Sequence, residues 1–242
     1  MRSQIDGFFV HPEGPGLPVP CASRRPLCGL IAPHIDFHRG GPTCAWAYRA
    51  LLEASDADLF VILGTCHGGM PDPFAATLKP YDTPLRPTEV DRGAFEALQR
   101  RSGHDLLASQ TVHRSEHSIE FQAVMVRRLL GERPFTILPV LASFLHEVVW
   151  AGGAPEADPR VTRFLGAEPN TAAFLDRVAR EDRAMLGPVT AGDAPGFFAS
   201  VAADGDSRRI CGLSPIYAFL RALPGARGEL LRYSQWPDPE EP

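Results

Sequence analysis
His34 and His67 each stand just past the carboxyl end of an apolar run, Cys28–Ala32 (CGLIA) and Leu59–Leu63 (LFVIL). A glycine pair follows each, Gly40-Gly41 and Gly68-Gly69. In open α/β sheets ligands bind at the carboxyl ends of strands, where glycine lets a ligand approach the backbone. Two imidazoles delivered to one such edge can share a metal ion. Cys211 is a third candidate ligand, in Arg208-Arg209-Ile210-Cys211-Gly212-Leu213-Ser214-Pro215, just ahead of a helix that Pro215 can start. A thiol near a helix N-terminus, with arginines beside it, is expected to have a lowered pKa. The plainer readings stand beside these. A histidine after a strand is commonly a packing residue, and a free cysteine is commonly a small buried hydrophobe.

His113 and Glu116-His117 form another polar cluster, at the mouth of a strongly patterned helix. A Glu/His entrance suits proton transfer, or support of a metal-bound imidazole from behind, and it equally suits a solvated first turn. His34-x-Asp36-x-His38 reads as a metal-hydrolase triplet only if the chain stays extended there, since alternate residues of a strand share a face. Cys66 and His67 are adjacent, so their side chains diverge in a strand, and Asp204–Asp206 (DGD) reads as a turn. No Walker loop, GxGxxG or GxSxG is present.

These residues need a scaffold, and the chain supplies a recognisable one. Residues 1–26 read as an extended, Pro/Gly-rich lead-in. Strands are expected at Cys28–Ala32, Leu59–Leu63, Phe74–Leu78 and Thr136–Leu141, with a last short one at Glu229–Tyr233. A helix is expected from Pro42, with Trp46, Ala50 and Ala54 on one face. Others follow at Asp91–Arg101, Ser115–Leu130, 169–187, 194–203 and 215–223. In the second of these Ser115 is the expected cap, Glu116 and Glu120 share a face, and Ile119, Ala123, Val126 and Leu130 form the apolar stripe. Continuous apolar strands alternating with helices predict an α/β layered fold around a mostly buried central sheet.

Composition narrows the function classes. The 242 residues suffice for a single domain with its own core, and 44% apolar with 22% charged is ordinary globular composition. Basic residues number 24 against 29 acidic, and Lys79 is the one lysine, so there is no footprint for nucleic acid. The first twenty residues carry no secretory signal pattern, and no apolar run approaches the ~20 residues that cross a bilayer. Five cysteines without a CxxC pair argue against a disulfide framework and for a cytoplasmic location. Proline, 24 in all, clusters at 12–26, 71–87 and 234–242, which marks loops and a Pro-rich tail.

Taken together, Ala32-Pro-His34-Ile-Asp-Phe, Gly64-Thr-Cys-His67, Glu116-His-Ser-Ile-Glu-Phe-Gln122 and Cys211-Gly-Leu-Ser-Pro215 resemble the Memo-like family, whose prokaryotic members are called AmmeMemoRadiSam system protein B. Gly14-Pro-Gly-Leu-Pro18, Thr83-Pro-Leu85 and Arg227-Gly-Glu-Leu-Leu-Arg-Tyr233 add to the resemblance, which covers most of the chain. It implies a fold shared with class III (LigB-type) extradiol dioxygenases, which hold non-haem Fe(II) on two histidines and a carboxylate. It further implies His34, His67 and Cys211 as metal ligands, with Fe(II) expected and zinc the alternative. His117 and Glu116 would then be catalytic, and Asp36, His38, Gly40, Gly41, Gly68 and His113 would line the pocket. A small-molecule substrate follows for an oxidoreductase, and a radical-SAM partner for a non-catalytic binding protein of the same fold. The family's Asp-x-x-His strand is absent between 147 and 211, where Leu165 runs directly into Gly166-Ala-Glu-Pro169, and a final strand is also expected to be missing.

Overall fold
The computed structural model describes residues 1–18, 27–144 and 171–236. The chain is an α/β protein with a small mixed sheet flanked by helices. Strands β1 (Leu59–Thr65), β2 (Phe74–Ala76) and β3 (Thr136–Ala142) lie in the order β1-β3-β2. β1 and β3 are parallel, from Leu59 opposite Thr136 to Thr65 opposite Ala142, so both carboxyl ends reach one edge. β2 pairs antiparallel with the last three residues of β3. The alternation of β3 divides the core. Ile137 and Leu141 face one cluster, while Leu138 and Val140 face a smaller one with Phe95 and Leu106. Pro139 sits in this central strand without breaking it, in the gap between a bridge from Val90 to Ile137 and the end of β2 at Val140.

The helices are α1 (Arg2–Val10), α2 (Phe37–Ala54), α3 (Arg92–Ser102), α4 (Ser118–Leu130), α5 (Ala172–Ala191), α6 (Ala194–Ala202) and α7 (Leu213–Ala222). A 3-10 turn at Gln110–Arg114 precedes α4. Helices α1, α2 and α4 pack on one face of the sheet, around Ile5, Phe9, Tyr48, Ile119 and Met125. Helices α5, α6 and α7 form a second cluster around Phe197 and Val201, and α7 leans on β1 and β3. Among the described residues no helix is long and apolar enough to cross a membrane.

Several elements depart from expectation for identifiable reasons. The lead-in is helical over Arg2–Val10, because Ile5, Phe8 and Phe9 at helical spacing bury one face. Helix α2 begins at Phe37 rather than at Pro42, which lies inside it. A Cβ on Gly41 would meet the Phe8 ring at 2.7 Å, so this glycine serves the close packing of α1 on α2, not a helix start. Residues Cys28–Ala32 join no ladder among the described residues; Leu27, Leu30 and Ala32 pack on the core without pairing their backbone. Glu229–Tyr233 likewise forms no strand. Nor is the sheet buried throughout: β1 lies at its edge, with Val61 58% exposed. The stretch around Leu165, where the family strand was expected to be missing, lies outside the described residues.

Candidate metal centre
Three segments distant in sequence converge at the carboxyl edge of the sheet. His67 follows β1 directly, after Cys66, whose N–H donates to the Ala142 carbonyl at the end of β3. His34 precedes α2, and Cys211 precedes α7. His34 Nε2 lies 3.2 Å from His67 Nε2 and 3.2 Å from Cys211 Sγ, and His67 Nε2 lies 2.9 Å from that sulfur. Tetrahedral bonds of ~2.0–2.1 Å to nitrogen and ~2.3 Å to sulfur separate such donors by roughly 3.3–3.6 Å. The triangle is therefore tighter than a metal requires, by up to about 0.4 Å on the two sides at His34 and by more than about half an ångström between His67 and Cys211, and the donor set fits zinc or iron.

His67 is held in one orientation. Glu116 is 7% exposed, and its Oε1 lies 2.8 Å from His67 Nδ1 while its Oε2 accepts the His67 backbone N–H at 2.7 Å. The ionised carboxylate is an acceptor only, so the proton belongs on Nδ1 and the Nε2 lone pair faces the triad. The same carboxylate accepts the backbone N–H groups of His117 and Ser118, at 2.9 and 3.1 Å. Glu116 thus precedes α4 and caps it, where Ser115 was expected to cap a helix containing Glu116. Burial works to raise the Glu116 pKa, yet the donors from His67 and Ser118 outweigh it and leave the carboxyl below its ordinary value. Burial, reinforced by His67 and His117, lowers His34 to about 4, so its ring is neutral and able to ligate at neutral pH.

Cys211 departs from the expected lowered pKa. Cys211 as a residue is exposed, yet desolvation around its sulfur pushes the thiol up, with Glu116 and Asp206 adding to the rise and a bond from Thr65 opposing it. Arg208, expected to help, pairs instead with Asp182 and Asp204, at 3.1 and 3.4 Å. A cation at the triad would favour the thiolate.

His117 stacks on His67 with ring centroids 4.7 Å apart and planes 7° from parallel, and its own ring is about half exposed. With Glu116 and His67 it forms a second group of potential metal ligands. The remaining candidates are not gathered here. His113 engages both ring nitrogens elsewhere, with the Tyr81 hydroxyl at 2.6 Å and the Ala75 carbonyl at 3.0 Å. His38 is exposed and accepts from Arg39 Nε, and Asp36 occupies the N-cap of α2. With the helix starting at Phe37, residues 34, 36 and 38 do not share an extended face, so the hydrolase triplet is not assembled. A Cβ on Gly40 would meet Ile35 Cγ2 at 2.3 Å, so Gly40 too is a packing glycine, whereas Gly68 has open space around it.

Three polar residues that carried no individual role in the sequence complete the surroundings. Thr65 donates to the Cys211 carbonyl at 2.9 Å. Ser118 donates to the Thr65 carbonyl at 2.8 Å across Gly64, where a Cβ would meet the Ser118 oxygen at 2.5 Å. Gln122 donates to the Pro33 carbonyl at 3.2 Å. Their signal lay in the strings Gly-Thr-Cys-His and Glu-His-Ser-Ile-Glu-Phe-Gln, which name the residues without naming their partners.

The family model described as "Memo-like protein" matches residues 2–152. This chain belongs to the Memo-like family. It is 31% identical to a MEMO1 family protein of Methanopyrus kandleri, over 97% of this chain and 86% of the relative. It is 29% identical to a MEMO1 family protein of Methanothermobacter thermautotrophicus, over 97% of this chain and 87% of that one. A MEMO1 family protein of Nitrosopumilus maritimus is 25% identical, over 97% of this chain and 86% of its own length. Within the Memo-like match lie His34, His67, Glu116 and His117, while Cys211 lies beyond it and within the longer alignments.

Proposed function
We propose that this Memo-like protein holds one metal ion on His34, His67 and Cys211, iron in preference to zinc, as an oxidoreductase site related to the class III extradiol dioxygenases. The observation that carries this reading is the convergence of three donor atoms, one of them on an imidazole whose other nitrogen is fixed by a buried carboxylate. Iron on such a ligand set supplies redox chemistry with positions left for substrate and dioxygen. Glu116 keeps the proton on His67 Nδ1 and so keeps Nε2 available. His34, neutral at physiological pH, offers its lone pair without first losing a proton. His117, stacked on His67 and half exposed, is the group placed to take or return a proton at the open side of the site.

A second reading, metal binding without turnover in partnership with a radical-SAM protein, is favoured by the lack of an Asp-x-x-His between 147 and 211. Elemental analysis after purification without oxygen tests the shared premise. Near-stoichiometric iron, lost in His67→Ala and in Cys211→Ala, is expected; metal that survives both substitutions contradicts it. Oxygen uptake by the iron-loaded protein with catechols or thiols then favours the oxidoreductase, and its absence favours the binding protein.

A further inference from the structure
His34 is the ligand with the least conventional support. His67 has its carboxylate, but no carboxylate hydrogen-bonds His34 among the described residues, and residues 27–36 join no ladder of the sheet. Leu27, Leu30 and Ala32 pack this segment on the core, and at Pro33, next to His34, a buried relay from two helices ties its backbone. The Tyr48 hydroxyl on α2 donates to Gln122 Oε1 on α4 at 2.7 Å, and Gln122 Nε2 donates to the Pro33 carbonyl at 3.2 Å. Tyr48 is 3% exposed and Gln122 9%.

We propose that Gln122, with its amide oriented by Tyr48, is the positioning residue for His34 as a metal ligand. The inference rests on the metal-site reading above. An amide side chain can present oxygen or nitrogen to a given neighbour, and the Tyr48 donor selects the orientation with nitrogen toward Pro33. The Pro33 carbonyl belongs to the same rigid peptide plane as the His34 nitrogen. Fixing that carbonyl fixes the plane from which the His34 Cα–Cβ bond departs, and Pro33 itself has a restricted φ. A modest swing of this plane moves Nε2 out of reach of the other two donors. Glu116 thus acts on His67 through its ring, and Gln122 acts on His34 through its backbone.

Cobalt(II) alone is the probe, because its visible bands report coordination geometry and a sulfur-to-metal band reports Cys211. Metal-free full-length protein is titrated against a competing chromophoric chelator, for the wild type, Gln122→Leu and Tyr48→Phe. The expected result is cobalt affinity at least about tenfold weaker in Gln122→Leu, with shifted visible bands and the sulfur band retained. Tyr48→Phe, which keeps the ring in the core, should shift both in the same direction by less. Wild-type affinity and an unchanged spectrum in a folded Gln122→Leu overturn the inference while leaving the metal site intact. If Gln122→Leu does not fold, unchanged binding and spectrum in Tyr48→Phe overturn it instead. A wild-type protein that takes up no cobalt overturns the metal-site reading, and this inference with it.

Discussion
His67 reaches the triad from a strand end whose polar groups are closely engaged: its ring and its backbone N–H both meet Glu116, and Ser118 ties the neighbouring Thr65 carbonyl. Cys211 arrives from the other side, ahead of a helix whose first residues, Leu213, Ser214 and Pro215, are buried, and a Thr65 hydroxyl holds its own carbonyl. On the histidine side, hydrogen bonds dictate which atom faces the triad. On the thiol side, packing of α7 brings the sulfur near, and Thr65 holds the Cys211 carbonyl. Imidazole has two nitrogens and needs a tautomer chosen for it, whereas a thiolate has one donor atom and needs only placement.

The largest effect should come from the group that chooses the tautomer. Glu116→Gln places an amide N–H against donors that the carboxylate now accepts. It should cost about 2 kcal/mol in urea unfolding and weaken metal binding about 10- to 100-fold. If metal affinity is unchanged in a folded Glu116→Gln, the contrast between the two sides is broken. Thr65→Val removes the bond to the Cys211 carbonyl at nearly constant volume and should cost about 1 kcal/mol. Metal binding should fall by less than in Glu116→Gln; a greater loss would mean that the thiol side is the more exactly set of the two.

Acid sharpens the contrast further. His34 and His113 both have lowered pKa values from burial. Below their ordinary value of 6.5 the unfolded chain takes up protons that the folded chain refuses, so stability falls with pH through that window. Glu116 adds the usual carboxylate case, in which stability is fully present above the unfolded value of 4.5 and lost as pH falls through the lower folded one. Residues 171–236 contain no histidine. Hydrogen exchange on the metal-free protein between pH 7.5 and 5.5 should therefore show opening first around α4 and the 27–36 segment. First opening in α5–α7 would contradict this assignment.

The legible and illegible parts of the sequence divide along the same physical line. β1, β3, α3, α6 and α7 follow from apolar period and from Pro and Gly placement, and His67 and Cys211 follow from residue type at a strand end and a helix start, whereas the strand expected before His34 is not formed. What was hidden depends on partners far away in sequence. The helical lead-in needs α2 to pack against, and the Gly40-Gly41 pair lies close against Ile35 and Phe8. Glu116 caps a helix that it precedes while holding a histidine 49 residues earlier. The raised Cys211 thiol follows from desolvation of its sulfur, and Arg208 is held by Asp182 of α5 and Asp204 after α6, neither of which a local reading of Arg-Arg-Ile-Cys reveals. His113 reads as a site residue until Tyr81 and Ala75 occupy both its nitrogens.

The central claim is that His34, His67 and Cys211 together hold one iron ion. X-ray absorption at the iron edge, on protein purified without oxygen, tests it directly by counting ligand types. The expected shell contains two imidazole nitrogens and one sulfur at bonding distance, with the sulfur contribution gone in Cys211→Ser. A shell of nitrogen and oxygen alone in the wild-type protein, or a sulfur contribution that persists in Cys211→Ser, would contradict it.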